Sequence, residues 1–178
     1  TWVDWCRSPG VVLDIGAYSG LMSILAARAH GDNEVHLFEP MERTVERANV
    51  NVKLNGLGPR IKRHAVAVSD STGTAEICLY RDADFLGTGN SIGAKDGLKV
   101  VDTTTIRTVR LDDFMPDIAP SVVKVDVEGH ELACLRGMQG AVERGRPKMI
   151  VEVWEKTRAE VLGLLDGWAY DCTRDEDV

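Results

Sequence analysis

The sequence predicts an α/β fold, an open, mostly parallel, twisted sheet with helices on both faces. Three observations carry that prediction. Val11–Ile15 is a short apolar, β-branched run entered from Pro9-Gly10, which reads as a buried parallel strand. Leu21, Ile24, Leu25 and Ala29 then recur at helical spacing, with Gly16 and Gly20 bracketing the turn between strand and helix. Strand-like and helical patterns go on alternating as β-α-β-α-β, and right-handed crossovers force that order into a parallel sheet.

The elements follow in chain order. Thr1 to Ser8 carries Trp2 and Trp5 and reads as an N-terminal cap packed onto the sheet. The first helix is expected to end near Gly31, as a C′ residue. Residues 34–39 form the second strand. Pro40 begins the next helix, where a missing N–H costs nothing. Met41, Val45, Ala48 and Val52 give that helix one apolar stripe, and Asn55-Gly56 closes it. Residues 61–68 read as the third strand, ending at Ser69-Asp70.

The alternation then breaks. Positions 75–80 and 104–111 look extended and read as an added β-hairpin or edge pair. Between them, residues 81–99 hold Gly87, Gly89, Gly93 and Gly97. A loop of this length is usually functional or mobile, and it falls on the ligand side of the sheet; a surface loop with no role is the competing reading. Residues 122–127 are the fourth buried strand and 129–141 the helix after it. Residues 148–154 are the fifth strand, 158–165 a helix with Val161, Leu162 and Leu165 inward, and 168–172 a last short strand. The whole, 1–178, reads as a single domain, large enough to bury roughly 70% of its unfolded surface.

A strand, glycine turn and helix at the head of such a sheet is where these folds bind nucleotides. A Cβ at Gly16 or Gly20 could block a left-handed turn or the approach of a ligand to the backbone. The turn is not the dinucleotide fingerprint G-x-G-x-x-G, because Tyr18 and Leu21 stand where its second and third glycines would be. What stands here is D-x-G-x-x-x-G. Asp14, beside a ligand, would repel a phosphate and suit a cation. S-adenosylmethionine meets that requirement, with a sulfonium, an amino group and no phosphate.

Asp14-Ile15-Gly16-Ala17-Tyr18-Ser19-Gly20 resembles motif I of class I S-adenosylmethionine-dependent methyltransferases. Four further segments are similar to the FkbM-type O-methyltransferase family: Leu37-Phe38-Glu39-Pro40, Ala65-Val66-Ala67-Val68-Ser69-Asp70, Arg110-Leu111-Asp112-Asp113-Phe114, and Lys124-Val125-Asp126-Val127-Glu128-Gly129-His130-Glu131. The match runs in the family's order. It implies a Rossmann-like sheet, S-adenosylmethionine as methyl donor, and a hydroxyl on a small metabolite or sugar as acceptor. It also implies a short Ser-containing loop near the substrate, for which Asn90-Ser91 is the nearest match. The family ends with one further antiparallel strand, for which no room is left before Val178.

Glu39 ends strand two, 25 positions after Asp14, where a carboxylate can accept hydrogen bonds from both hydroxyls of a ribose; a charge favouring the helix dipole is the alternative. By resemblance the Ser69-Asp70 turn lies beside the adenine, although Ser-Asp-Ser-Thr-Gly is also good turn chemistry. The donor set is therefore Asp14, Gly16, Ala17, Tyr18, Ser19, Gly20, Glu39, Pro40, Ser69, Asp70 and Asp126. Asp126, Glu128 and His130 form the densest polar cluster at a strand end and are the catalytic candidates. Asp126 and Glu128 share a face on a regular strand, and two carboxylates there are costly unless they serve a ligand or find partners. Lys124, on the same parity, is the obvious structural partner. Asp126 would hold the methionine amino group or the acceptor, and His130 has the intrinsic pKa of a general base. No metal is expected, for want of a third ligand.

The net charge of −7 argues against nucleic acid or an acidic membrane as partner. No apolar run approaches the ~20 residues of a membrane span, and no signal peptide is legible, so a cytoplasmic location is expected. Cys6, Cys78, Cys134 and Cys172 have no C-x-x-C spacing, which disfavours zinc and dithiol redox sites. Two other classes remain open, a non-catalytic S-adenosylmethionine-fold binding module and, against the missing fingerprint, a nicotinamide-dependent oxidoreductase.

Overall fold

The structure, a computed structural model, describes residues 1–80, 90–95 and 97–174. In chain order the elements are helix α1 (Trp2–Trp5), strand β1 (Val11–Ile15), α2 (Leu21–Ala29), β2 (Glu34–Phe38), α3 (Glu42–Leu54), a 3-10 turn (Gly58–Arg60), β3 (Ile61–His64), β4 (Ala67–Val68), β5 (Gly73–Tyr80), β6 (Ser91–Ile92), β7 (Val100–Val109), α4 (Leu111–Phe114), β8 (Val122–Val125), α5 (Glu131–Gly137), α6 (Gln139–Gly145), β9 (Lys148–Val151) and α7 (Arg158–Gly167). Strands β3-β2-β1-β8-β9 form one sheet in that order, and every pairing in it is parallel. The expected α/β class is therefore observed.

Side-chain alternation along the strands feeds two cores, one on each face. Val12, Val35, Leu37 and Val122 pack with Trp2, Ile24, Ala48 and Val52, beneath α1, α2 and α3. Leu13, Ile15, Phe38, Val123 and Val125 pack with Leu135, Met138, Val142 and Val161, beneath α5, α6 and α7. Trp2 is buried and donates its indole N–H to the Met22 carbonyl, so the cap is pinned chiefly to α2.

The expected third strand, 61–68, is two strands. β3 belongs to the parallel sheet, while β4 crosses into a second, four-stranded sheet of order β4-β7-β5-β6. The predicted hairpin is the centre of that sheet, with β5 and β7 antiparallel from Gly73↔Thr108 to Tyr80↔Val100. Of the predicted glycine-rich loop, 90–95 and 97–99 are described; Gly87 and Gly89 lie outside the described residues.

Several boundaries move for local reasons. α2 ends at Ala29 with His30 extended, and the Arg60 guanidinium, rather than a left-handed Gly31, covers the His30 and Gly31 carbonyls at 2.8 and 2.6 Å. α3 starts at Glu42, two residues after Pro40. β8 stops at Val125, and the segment read as one helix over 129–141 is α5 and α6, broken at the buried Met138. Asp112 caps α6, accepting the Gly140 and Ala141 N–H groups at 2.9 and 2.8 Å, which is the task of the Leu-Asp-Asp segment. β9 spans four residues, Leu162 is 37% exposed rather than inward, and residues 168–172 form no strand, with Ala169 left-handed at φ 57°.

Candidate active site

The parallel register builds the site. Ile15 pairs with Phe38 on one side and Val125 on the other, and Val125 pairs with Val151. The next residues along the four strands are Glu39, Gly16, Asp126 and Glu152, which therefore line up across the C-terminal edge of the sheet. A cavity of about 190 Å³ opens there, with Gly16, Tyr18, Glu39, Asp126, Glu128 and His130 facing it. The second sheet closes it with Ala67, Val68, Ile77 and Ile92.

Gly16 has φ +75°, and a Cβ on it would meet the Asp126 carbonyl oxygen at 1.8 Å. The left-handed turn expected at this glycine is therefore present, and what a Cβ there would strike is the neighbouring strand end. Gly16 and Ala17 both donate to the Phe38 carbonyl at 3.0 Å, and the Ser19 carbonyl accepts from Asn51 at 2.9 Å. Gly20 is left-handed at φ +77° against Leu37 and Ala48. Ala17, Ser19 and Gly20 shape the turn; Gly16 and Tyr18 present it to the cavity. Tyr18 is itself left-handed at φ 47°, and its hydroxyl accepts from Arg47 at 3.0 Å.

Asp14 is expected beside the ligand, but it is fully buried behind the turn. Its Oδ2 accepts from the Ser23 N–H at 2.9 Å and hydroxyl at 2.7 Å. Burial raises its pKa, and Lys124, with Nζ 3.8 Å from Oδ1, pulls the other way. Asp14 thus fastens α2 to β1 and lends its charge from below.

Glu39 is 7% exposed yet faces the cavity. Its two oxygens accept one backbone N–H each, from Tyr18 and Met41, both at 3.1 Å. Burial raises its pKa, opposed by those two bonds. A carboxylate has about four acceptor positions, so each oxygen keeps one for a ligand. Pro40 lines the cavity beside it.

Asp126 and Glu128 do share the cavity, although not as strand residues; they follow the end of β8, and Glu128 is left-handed at φ 57°. Lys124 Nζ lies 3.1 Å from Asp126 Oδ2 and donates to the Gly16 carbonyl at 3.0 Å, so the anticipated ion pair exists. Glu128 pairs with Lys95 at 2.7 Å. Lys95 also lies 4.2 Å above the Trp154 ring and is held through its backbone N–H by the Tyr80 hydroxyl at 2.6 Å. Asn90 faces the cavity, whereas the neighbouring Ser91 is buried and bonded to Tyr80 and the Gly93 carbonyl.

His130 faces the cavity with Nε2 2.9 Å from the Ser69 hydroxyl. Burial holds its pKa down, and Asp70 opposes this. Ser69 is buried and Asp70 is exposed at the surface. The turn is pressed against α5, since a Cβ on Gly137 would meet the Ser69 carbonyl oxygen at 1.8 Å.

The third carboxylate that sequence reasoning lacked is Glu152. One oxygen each of Asp126, Glu128 and Glu152 lies within 4.8 Å of the others, so the reason given for excluding a metal no longer holds. Lys124 and Lys95 supply counter-charge to two of the three. Glu152 and Lys95 were legible only through strand register and a long-range contact.

Comparison with known proteins accords with this geometry. The family model described as the methyltransferase FkbM domain matches residues 14–171. The chain is 25% identical to methyltransferase sdnD of Sordaria araneosa, over 92% of this chain and 74% of that protein. It is 25% identical to 31-O-demethyl-FK506 methyltransferase FkbM of Streptomyces tacrolimicus, over 96% and 76%. Its fold matches the crystal structure of methyltransferase FkbM from Methylobacillus flagellatus KT with a TM-score of 0.62 at 20% identity, over 89% of this chain but only 37% of that one. With residues 14–171 matched to one family model, the chain belongs to the FkbM methyltransferase domain family.

Proposed function

We propose that this domain transfers a methyl group from S-adenosylmethionine to a hydroxyl oxygen of a small molecule. The observation that carries the reading is Glu39, a nearly buried carboxylate on the cavity wall with one acceptor position left on each oxygen. That is the complement of a ribose diol. Gly16 and Tyr18 offer the backbone surface beside it, Pro40 flanks it, and Asp126 stands two strands away, across β1, for the methionine ammonium. When bound, the donor supplies a methyl group on a sulfonium carrying one positive charge.

The chain's own residues supply placement and charge. Holding donor and acceptor in line is worth ~7–11 kcal/mol of the barrier. Asp126 and Glu128 surround the sulfonium end with negative charge, which Lys124 and Lys95 moderate. His130 fixes the Ser69-Asp70 turn on the adenine side through its bond to Ser69. The oxygen preference is supported by the relative named for a 31-O-demethyl substrate. The test is transfer of a radiolabelled methyl group from S-adenosylmethionine to a pool of hydroxylated metabolites. Label in a base-stable ether supports the reading. Donor binding with no transfer to any acceptor in the pool would move the domain to the class of non-catalytic binding modules.

A further inference from the structure

We propose that Lys95 is a positioning residue for the methyl transfer, holding Glu128 where its carboxylate takes the proton of the acceptor hydroxyl. This role rests on the donor placement proposed above and adds the acceptor's side of the reaction. Lys95 belongs to none of the motif segments and is no part of the cavity wall; Glu128, which it holds, is.

The Lys95 ammonium is fixed from three elements. It donates to Glu128 Oε2 at 2.7 Å, beyond the end of β8. It stands 4.2 Å from the centroid of the Trp154 ring, beyond the end of β9, and 5.8 Å from that of Tyr80 on β5. A cation over an aromatic face is attracted to it, more so where water is kept away, and this side chain is only 10% exposed. The backbone is fixed as well, since the Tyr80 hydroxyl accepts the Lys95 N–H at 2.6 Å. Lys95 thus ties the second sheet to the strand ends of the first.

Glu128 needs such a hold. It is left-handed at φ 57°, a costly conformation for a residue with a side chain. One of its oxygens lies within 4.8 Å of an oxygen of Asp126 and one of Glu152. Glu131 secures the backbone: it is fully buried and accepts the Gly129 N–H at 2.8 Å. Lys95 secures the side chain, and without it repulsion from Asp126 and Glu152 would turn the carboxylate away.

The other polar candidates on the cavity wall are engaged. Asp126 answers Lys124 and, in the proposed placement, the methionine ammonium. His130 is tied through Nε2 to Ser69. Lys95 takes one of the four or so acceptor positions of Glu128, which leaves others for a hydroxyl. In the step, the acceptor oxygen bonds to the methyl carbon as the carbon–sulfur bond breaks. The bonding pair stays on sulfur, and the hydroxyl proton passes to the Glu128 carboxylate. Lys95 acts only through Glu128.

The experiment has two arms. In the ligand-free protein, proton NMR reads the Lys95 ε-methylene, which the Trp154 ring current should shift upfield. Glu128→Gln, lacking the charge that holds the ammonium, should reduce that shift. In the second arm, transfer of label from S-adenosylmethionine to the pool of hydroxylated metabolites is measured beside S-adenosylhomocysteine affinity. Lys95→Met should lower transfer by roughly 10- to 100-fold, part of what a positioned base supplies. Its S-adenosylhomocysteine affinity should stay within about 3-fold of wild type, because the donor site is intact. Lys95→Arg, which can pair with a carboxylate and stack on an indole, should recover most of the transfer. An unshifted ε-methylene in wild type, or wild-type transfer by Lys95→Met, overturns the proposal. So does a loss of S-adenosylhomocysteine affinity in Lys95→Met as large as its loss of transfer, which would make Lys95 a prop of the whole site. No transfer by wild type overturns the proposed function, and this role falls with it.

Discussion

The two sheets of this domain contribute to one cavity by different means. In the parallel sheet, Glu39, Gly16, Asp126 and Glu152 are placed by register, each one step beyond a paired residue. Their positions follow from strand pairing alone, with Asp14, Ser23 and Lys124 bracing them from below. In the second sheet, the wall is made by side chains from short strands and by the segment 90–95, tied down through the Tyr80 hydroxyl and the Lys95–Glu128 pair. A ligand part common to many enzymes suits the first kind of support. An acceptor that differs from enzyme to enzyme suits the second, where loops vary while the scaffold stays.

The largest effect is expected at Gly16, where the two strand ends meet. Gly16→Val puts a branched Cβ into the Asp126 carbonyl and strains a left-handed residue. The cost should be about 3 kcal/mol or more, with unfolding or loss of all cofactor binding. A thermal melt at the wild-type midpoint would show that the strand ends can part without penalty. Ser23→Ala removes a 2.7 Å bond to a fully buried carboxylate. It should cost ~1–3 kcal/mol in urea unfolding.

The second sheet should respond locally. Tyr80→Phe frees the Lys95 N–H, Ser91 and the Gly93 carbonyl from one hydroxyl. Hydrogen exchange across 90–95 should quicken by roughly a factor of 10, about 1 kcal/mol, with S-adenosylhomocysteine affinity unchanged. A parallel loss of cofactor affinity would mean that the two supports are not separable.

A pH titration probes the parallel sheet by itself. His36 is 1% exposed and hydrogen-bonds His64 at 3.0 Å. Burial holds His36 below its ordinary range and holds His64, stacked on Phe38, down to about 4. The unfolded chain takes up these protons near pH 6.5. Between there and about pH 4 it binds more protons than the folded chain, so stability falls as pH falls through that window and is fully present above it. Chemical denaturation from pH 8 to pH 5 should show a plateau and then a decline.

The same contrast separates what the sequence disclosed from what it withheld. The alternating apolar runs reported the parallel sheet, because burial on both faces leaves an unmistakable pattern at 11–15, 34–38 and 122–125. Glu39, Gly16 and Asp126 were legible because each follows such a run. The split of 61–68 between two sheets was not, since Ala65 and Val66 bend the chain without a glycine or proline. Glu152 was missed because its partner is 26 positions away, in a register no local pattern encodes. Lys95 was missed for the same reason, its carboxylate partner lying 33 positions on. Asp14 was recognised as important but given the wrong neighbour: a motif reports which residue types recur, not which atoms they touch.

The row on the parallel sheet is proposed as a nucleoside site for S-adenosylmethionine, with Glu39 on the ribose. The decisive measurement is calorimetry of S-adenosylhomocysteine and NADH against wild type and Glu39→Ala. S-adenosylhomocysteine should bind wild type and NADH should not, since Tyr18 stands where a pyrophosphate needs close backbone approach. Glu39→Ala should lose ~1–3 kcal/mol, roughly 5- to 150-fold. Tighter binding of NADH, or an unchanged S-adenosylhomocysteine dissociation constant in the variant, would contradict it.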